Sequence, residues 1–351
     1  MRKPGDLFLL HPMPLRLHFA GLTPNRPLTH LAWAAYAHDD RVAGGTTVHF
    51  GRELADAFAK HWSIAPSIAD CDVVVYPHSY EDGPETASVA EAARAAGKPC
   101  LFFSQDERLA PSRLSYGTLY RSSIFKRLPH ERTLPVFIND PTTEYSPAEE
   151  ILPKPVRPRV GFCGYVGTGI SRSLFRLAGA NQKVDGLAIR ATALAALKRD
   201  PRIDCDFLSR ATYLGSATYA AFDKQHPLAD ARDAFLANLF RCPYNLAIRG
   251  KGNHSVRFYE VLAASRIPLF VNTACVLPLE REIDWKAHTL WVEDSDLPQI
   301  GDRVTAGHAA IPAEEFEERQ RANRRLWETR LKPEPFFAHV LATVAAGQPA
   351  P

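Results

Sequence analysis

The chain has 351 residues, enough for two domains of ordinary size, and its 46 % apolar and 23 % charged residues describe a soluble globular protein with a substantial core. A formal net charge of only +3, with no run of five or six like charges, gives no electrostatic basis for a nucleic-acid partner. The six cysteines are scattered, several of them inside apolar runs, and none forms a CxxC pair; they read as small buried residues in a reducing compartment.

At the start, a short apolar run is broken by His11, Pro12 and Pro14, which is poor for a signal sequence. No later stretch approaches the roughly 20 apolar residues of a membrane helix. The expectation is a cytoplasmic protein without a transmembrane segment, compatible with peripheral association at the inner face of a membrane.

In chain order, residues 6–10 and 46–50 are predicted as short strands, with helical spacing at 28–37 and again across 52–61. A strand with a fully apolar core follows from Asp70 to Tyr76, ending at Pro77 and His78, and residues 84–97 read as a helix stopped by Gly97. Residues 99–103 and 134–138 read as further buried strands, the first leading into Ser104 to Glu107 and the second into Asn139 and Asp140. Apolar strands alternating with helices predict a parallel sheet covered on both faces. The proline-dense stretch 140–158 then reads as a linker. Beyond it, a strand at 159–164 feeds a glycine turn at 165–169 and a helix start bearing Arg172 and Arg176. Helices are predicted at 187–198, 230–241, 313–330 and 333–346, and strands at 202–208, 244–248 and 288–292.

The expected organisation is a first domain over residues 1–150, a second over 151–330, and a terminal helical segment, 331–351, that can pack back on the first. The fold class is α/β, with two Rossmann-like domains facing across a cleft. Open α/β sheets bind ligands at their carboxyl edges.

The most informative stretch runs from Arg249 to Val271: a basic glycine loop, a short helix and an apolar strand. Gly250 and Gly252 let the backbone approach a ligand closely, and Asn253 or Ser255 can cap the helix. The first helical turn offers free N–H groups to a phosphate. Arg257 and Glu260, three apart, share one helix face. An arginine fork suits a diphosphate and a carboxylate suits paired ribose hydroxyls, so the stretch reads as a nucleotide-sugar site. The same pattern also fits an ordinary capped helix carrying a surface ion pair. His254, inside the loop, could touch a phosphate or remain solvated. Gly164, between a strand and a glycine turn, fits a second phosphate approach.

The block Ser255-Val-Arg257-Phe-Tyr-Glu260-Val-Leu-Ala-Ala-Ser-Arg-Ile-Pro268, followed by Leu277-Pro-Leu and Ile283-Asp284-Trp285, resembles the exostosin-type glycosyltransferases, family 47 of the GT-B class. Arg241-Cys242-Pro-Tyr-Asn-Leu and Val160-Gly-Phe-Cys-Gly164 with Arg172 are similar to upstream phrases of that family. The likeness covers roughly residues 158–300, whereas the N-terminal half shares only a general α/β pattern. Ser265-Arg266 stands where the family has Gly-Cys, and Leu279 where it has phenylalanine.

The resemblance implies a GT-B fold, a nucleotide-sugar donor (commonly a UDP-sugar), inversion at the anomeric carbon, and no cofactor or essential metal. It places Glu260 on the donor ribose and Arg257 or Arg172 on the diphosphate, with amides from Gly252 to Ser255 completing the cradle. Arg176 and Gly164 are further donor candidates. The acceptor would be a glycan or lipid-linked glycan. Retaining GT-B enzymes carry a second glutamate eight residues before the ribose-binding one; Gly252 stands there, which favours inversion.

Sugar transfer also needs a base for the acceptor hydroxyl, expected from the first domain at the carboxyl ends of its strands. Asp106 ranks first, followed by Glu107 and Glu81, with Asp82, Asp140 and His78 placed similarly. Each could instead cap a helix. The triplets Asp204-Cys-Asp206 and Asp294-Ser-Asp296 resemble metal-binding DxD motifs, but they fall at a strand start and in a polar turn. The rival readings are a retaining GT-B enzyme and a non-catalytic nucleotide- or glycan-binding relative. Residues 11–20 hold no GxGxxG, which counts against an NAD-type Rossmann enzyme.

Overall fold

Two parallel sheets form in the computed structural model, which describes residues 14–23, 25–37, 51–104, 107, 110–125, 128–145, 150–166, 186–210 and 229–351. The strands expected at 6–10 and 46–50 lie outside the described residues, as do Asp106, Arg172 and Arg176. The chain divides into two units. Met1–Phe137, Val276–Ile283 and Thr329–Pro351 make up the first, and Ile138–Cys275 and Asp284–Glu328 the second.

In the first unit, strands β1 (Leu15–Phe19), β2 (Trp62–Ile64), β3 (Val73–Ser79), β4 (Cys100–Ser104), β5 (Thr118–Arg121) and β6 (Glu131–Thr133) pair in the order β2-β1-β3-β4-β5-β6. Every pairing is parallel. Val73, Val74, Val75, Leu101 and Phe102 have no solvent exposure, as required of central strands covered on both faces. Helices α1 (His30–Ala35), α2 (Gly51–His61) and α3 (Pro84–Ala95) connect them. Pro84 stands at the start of α3, where its missing N–H costs nothing, and Gly97 closes the helix at φ +61°.

The stretch 134–138 is not a strand. Leu134, Phe137 and Ile138 are buried, but Pro135 has no N–H to give a ladder, so the apolar run packs as irregular chain. The sheet is instead extended by β5 and β6, which are short and mostly polar. The alternating strand Leu15–Phe19, buried at its first, third and fifth residues, went unread in the sequence. The C-terminal helix of this unit, Pro333–Ala345, sets Phe336 and Phe337 against Phe103, Tyr120 and Phe137 at centroid distances of 5.4–6.1 Å.

His30 in α1 meets Phe137 edge-on at 5.0 Å, and burial lowers its pKa from 6.5 to about 4. The unfolded chain therefore takes up a proton that the folded chain refuses. The contribution of neutral His30 is complete above pH ~6.5 and is lost as pH falls through about 4, roughly 3 kcal/mol in all. Wild type should lose melting temperature more steeply than His30→Gln across that interval; parallel curves would contradict a neutral His30 in the fold.

In the second unit, β7 (Arg159–Tyr165), β8 (Asp204–Arg210), β9 (Tyr244–Ala247), β10 (Ile267–Asn272) and β11 (Leu290–Glu293) pair in the order β8-β7-β9-β10-β11, again all parallel. The connecting helices are α4 (Gly186–Arg199), α5 (Ala229–Arg241), α6 (Val256–Ala263), α7 (Trp285–His288), α8 (Ile300–Ala310) and α9 (Ala313–Leu326). The core joins Val160, Phe162, Leu197, Tyr244, Leu246, Ile267 and Leu269. From β7 the chain winds first to one side and then to the other, so the strand order reverses between β7 and β9. Such a reversal opens a crevice beyond the carboxyl ends of the two strands.

Between α6 and β10 the chain turns through Ser265 at φ +55°. Serine there adopts the left-handed conformation that glycine takes without steric cost. Ser265→Gly should therefore raise unfolding free energy by about 0.5–1 kcal/mol, after the larger unfolded-state entropy of glycine is set against the relieved strain. A destabilised Ser265→Gly in chemical denaturation would mean the hydroxyl outweighs the backbone.

Candidate functional site

The Arg249–Ser255 loop leaves β9 at the crevice between β7 and β9. β9 runs out through Ile248 to Ser255 before α6 begins. Arg249 is 2 % exposed and donates through Nη2 to the Lys251 carbonyl at 2.7 Å. Arg190 of α4 donates through Nη1 to the Tyr165 carbonyl at 2.5 Å and through Nη2 to the Arg249 carbonyl at 3.0 Å. One guanidinium thus pins the end of β7 to the loop after β9.

Asn253 is fully buried, accepting from the Thr273 hydroxyl at 2.6 Å and donating to the Ala274 carbonyl at 3.2 Å. It ties the loop to the end of β10. Ser255 stands at the cap position in extended conformation, but its side chain makes no cap hydrogen bond. The Ser255 side chain therefore leaves the opening turn of α6 uncapped. Gly252 is buried, and His254 is half-buried.

Arg257, in the first turn of α6, lies with its guanidinium 4.7 Å from the Phe162 ring and 5.3 Å from the Phe235 ring. It donates through Nη2 to the Cys163 carbonyl. Gly164 makes room for it, since a Cβ there would stand 3.1 Å from the Arg257 guanidinium. Nε of Arg257 is buried, with no hydrogen-bond partner among the described residues. Burial lowers the Arg257 pKa; Glu260 works in the opposite sense, and Arg210 adds to the lowering. Arg210 ends β8 beside Tyr165 and donates to the Ala231 carbonyl at 2.9 Å. Several arginines therefore converge on the carboxyl ends of β7 and β8, a setting that favours an anion.

Glu260 faces the same side of α6 as Arg257 but is largely buried. Its Oε1 accepts from Arg232 Nη1 at 3.0 Å, and no hydrogen bond reaches Oε2 among the described residues. Arg232, in α5, also grips Glu144 with two parallel bonds, Nε at 2.9 Å and Nη2 at 2.8 Å. The three side chains are only 4–8 % exposed. Burial works against the Arg232 charge, yet the two carboxylates raise its pKa above the ordinary arginine value. The alternative of a surface pair between Arg257 and Glu260 is thereby replaced: the ion pair of Glu260 is buried and made with another helix.

Sequence reasoning missed Arg232, Glu144, Arg190 and Arg210. A signal existed for Arg232. It falls three, four and seven residues before Phe235, Leu236 and Leu239, so a charge stands on the apolar stripe of α5, where a buried partner is required. Nothing local marks Glu144, 88 residues away from Arg232.

Asp106, Arg172 and Arg176 lie outside the described residues, so the first-ranked base and two donor candidates receive no geometry. Glu81 and Glu107 are exposed, both in the first unit beyond β3 and β4. Asp82 accepts from the Tyr80 hydroxyl at 2.7 Å and the Arg113 amide at 2.8 Å. Asp140 belongs to the second unit, where it caps the turn Pro141–Thr143 and binds Arg324 bidentately at 2.7 and 2.6 Å. His78 is buried, with Nδ1 donating to the Pro27 carbonyl at 3.0 Å and Nε2 accepting from the Thr23 amide at 3.1 Å. These three groups hold loops and turns. Of the DxD-like triplets, Asp206 pairs with Arg241 at 2.7 Å and Arg159 at 3.4 Å, and Asp296 with Arg303 at 3.1 Å.

With that geometry in hand, comparison with known proteins adds a sequence likeness. Over 83 residues, 24 % of this chain, the sequence is 39 % identical to Exostosin-1 of Drosophila melanogaster. Part of this chain resembles an exostosin. The exostosin-like stretch covers only 10 % of that larger protein. No family model matches the chain.

Solved structures with some similarity include WaaG, a glycosyltransferase involved in lipopolysaccharide biosynthesis, at 12 % identity and a TM-score of 0.36, covering 98 % of this chain and 94 % of WaaG. An α,α-trehalose-phosphate synthase (UDP-forming) from Burkholderia xenovorans matches at 13 % identity and a TM-score of 0.37, over 94 % of this chain and 89 % of the synthase.

Proposed function

We propose that this chain is an exostosin-like glycosyltransferase of the GT-B class that binds a nucleotide-sugar at the β7/β9 crevice of its second unit. The observation that carries this reading is the placement of Arg257 and Glu260 on one face of α6, at the point where the strand order reverses. The exostosin-like stretch supports it from sequence. In this reading Arg257 takes the diphosphate through its unpartnered Nε edge, backed by Arg210 and the uncapped first turn of α6. Glu260 takes the ribose hydroxyls through Oε2.

The reaction is a single displacement. A base removes the proton of an acceptor hydroxyl, the hydroxyl oxygen attacks the anomeric carbon, and the bond to the diphosphate breaks on the opposite face. The nucleoside diphosphate leaves with its charge met by arginines and amide dipoles, which is the role a metal would otherwise fill. Asp106 is the favoured base, ahead of Glu107 and Glu81. The donor is a UDP-sugar and the acceptor a glycan or lipid-linked glycan of a surface polysaccharide. Work at the inner membrane face is compatible with a chain in which, among the described residues, no helix is long and apolar enough to cross a membrane.

The test is incubation with UDP-, GDP- and TDP-sugars, with and without EDTA, reading nucleoside diphosphate release and the product anomer by NMR. Release from a UDP-sugar, undiminished by EDTA and with inverted configuration, is expected. A retained anomer would overturn inversion, loss in EDTA would overturn metal independence, and silence from every donor would overturn the activity itself.

A further inference from the structure

We propose that Glu144 is a positioning residue that keeps Glu260 available to ligand hydroxyls by holding Arg232 away from full engagement with it. The proposal rests on the nucleotide-sugar reading of the same site and concerns how its ribose preference is set. A guanidinium beside a lone carboxylate closes on it with two parallel bonds, because that arrangement matches the fork and is the strongest available. Arg232 does this with Glu144, spending Nε on one oxygen and Nη2 on the other. Only Nη1 is left for Glu260, and it reaches only Oε1.

The consequence is a carboxylate whose orientation is fixed through one oxygen while the other is left for a ligand. The ribose of a nucleotide presents two adjacent hydroxyls, which are donors that such an oxygen can accept. Burial sharpens the effect, since a desolvated carboxylate with an unused oxygen gains more from a hydroxyl donor than a solvated one. Lysine could not substitute for Arg232, because a single ammonium has no planar fork to hold one carboxylate at two points and a second at a third.

Removing the charge of Glu144 should reverse the arrangement. In Glu144→Gln the amide group offers one acceptor and two donors, so it no longer satisfies both Nε and Nη2. The released edge of Arg232 then turns to Glu260 and occupies both of its oxygens. Ribose recognition is lost while the diphosphate contacts at Arg257 remain.

The experiment measures binding of UDP and GDP, each beside its 2′-deoxy counterpart, together with inorganic pyrophosphate, to wild type, Glu144→Gln and Arg232→Lys. Wild type is expected to prefer the ribonucleotide by about tenfold or more, the range of a hydrogen bond to a charged group. In Glu144→Gln the preference should fall to within about twofold, with pyrophosphate affinity close to wild type, an outcome that general loosening of the fold does not produce. A Glu144→Gln protein that keeps the wild-type preference overturns the positioning role alone. Wild type that binds UDP and 2′-deoxy-UDP equally overturns ribose reading by Glu260, and with it this proposal, while leaving nucleotide binding intact. Wild type that binds no nucleoside diphosphate overturns both. If Glu144→Gln does not fold, Arg232→Lys carries the test: an unchanged preference there contradicts the clamp, and a collapsed one supports it.

Discussion

Arg257→Ala is expected to lower kcat/KM for sugar transfer by about a hundredfold to a thousandfold, the effect of deleting one preorganised charge at a developing anion. The magnitude follows from where the guanidinium sits. Held between the Phe162 and Phe235 rings and anchored on the Cys163 carbonyl, it is already desolvated and oriented before any ligand arrives. Little reorganisation then accompanies the departure of the diphosphate. Arg257→Lys should not restore the rate, since an ammonium cannot stack between two rings and still present a fork. Melting curves of both variants must accompany the kinetics, because Arg257 also holds the end of β7. A folded Arg257→Ala protein with kcat/KM within about threefold of wild type would remove Arg257 from the diphosphate.

The largest stability effect is expected at Arg266, whose side chain is among the largest fully buried ones. It has no carboxylate hydrogen-bond partner among the described residues, and every bond it makes goes to a carbonyl. Nε and Nη2 donate to Phe240 at 3.1 and 2.7 Å, and Nη1 to Glu150 and Ser265 at 3.0 Å each. Burial pushes its pKa down to about 10, so it remains charged at neutral pH and needs those carbonyls. One residue thus joins the end of α5, the turn after α6 and the chain near residue 150. Arg266→Met keeps much of the volume and removes every donor. The buried carbonyl of Phe240 and the part-buried one of Glu150 then lose their charged partner, and a loss of about 3–5 kcal/mol in denaturant unfolding follows, after the relieved cost of burying the charge is set against it. A change below about 1 kcal/mol would show that the carbonyls find other donors.

Arg266 also shows how far the sequence could be read. The replacement of Gly-Cys by Ser265-Arg266 marks a departure from the exostosin pattern, and the sequence offers no reason for it. In the structure, serine adopts the left-handed turn that glycine would, and the arginine becomes a carbonyl clamp. Neither is visible locally, because the partners at Phe240 and Glu150 lie 26 and 116 residues away. The same limit hid the Glu144–Arg232–Glu260 group: Glu260 was legible as a candidate, but its state as a half-engaged buried carboxylate was not.

Strands were legible where burial on both faces writes an uninterrupted apolar run, as in β3, β4, β7 and β10. The run at 134–138 misled for the same reason. Burial makes a stretch apolar whether or not its amides join a ladder, and Pro135 was the residue that argued otherwise. β5 and β6 are short and partly charged, with Arg121 and Glu131 buried as a pair, so no apolar signal announces them. Of the base candidates, Asp82 and Asp140 are chemically suitable in type but are engaged in local structure, which only the folded chain could reveal.

The most direct test of the central claim is a thermal-shift titration of the purified chain with nucleoside diphosphates, UDP first. A ligand that binds only the folded state stabilises it by about 2.7 kcal/mol at a hundredfold excess over Kd, enough for a clear rise in Tm. The account predicts such a rise with at least one nucleoside diphosphate and its loss in Arg257→Ala. No shift from any of them at millimolar concentration, in a protein that melts cooperatively, would contradict a donor site at α6.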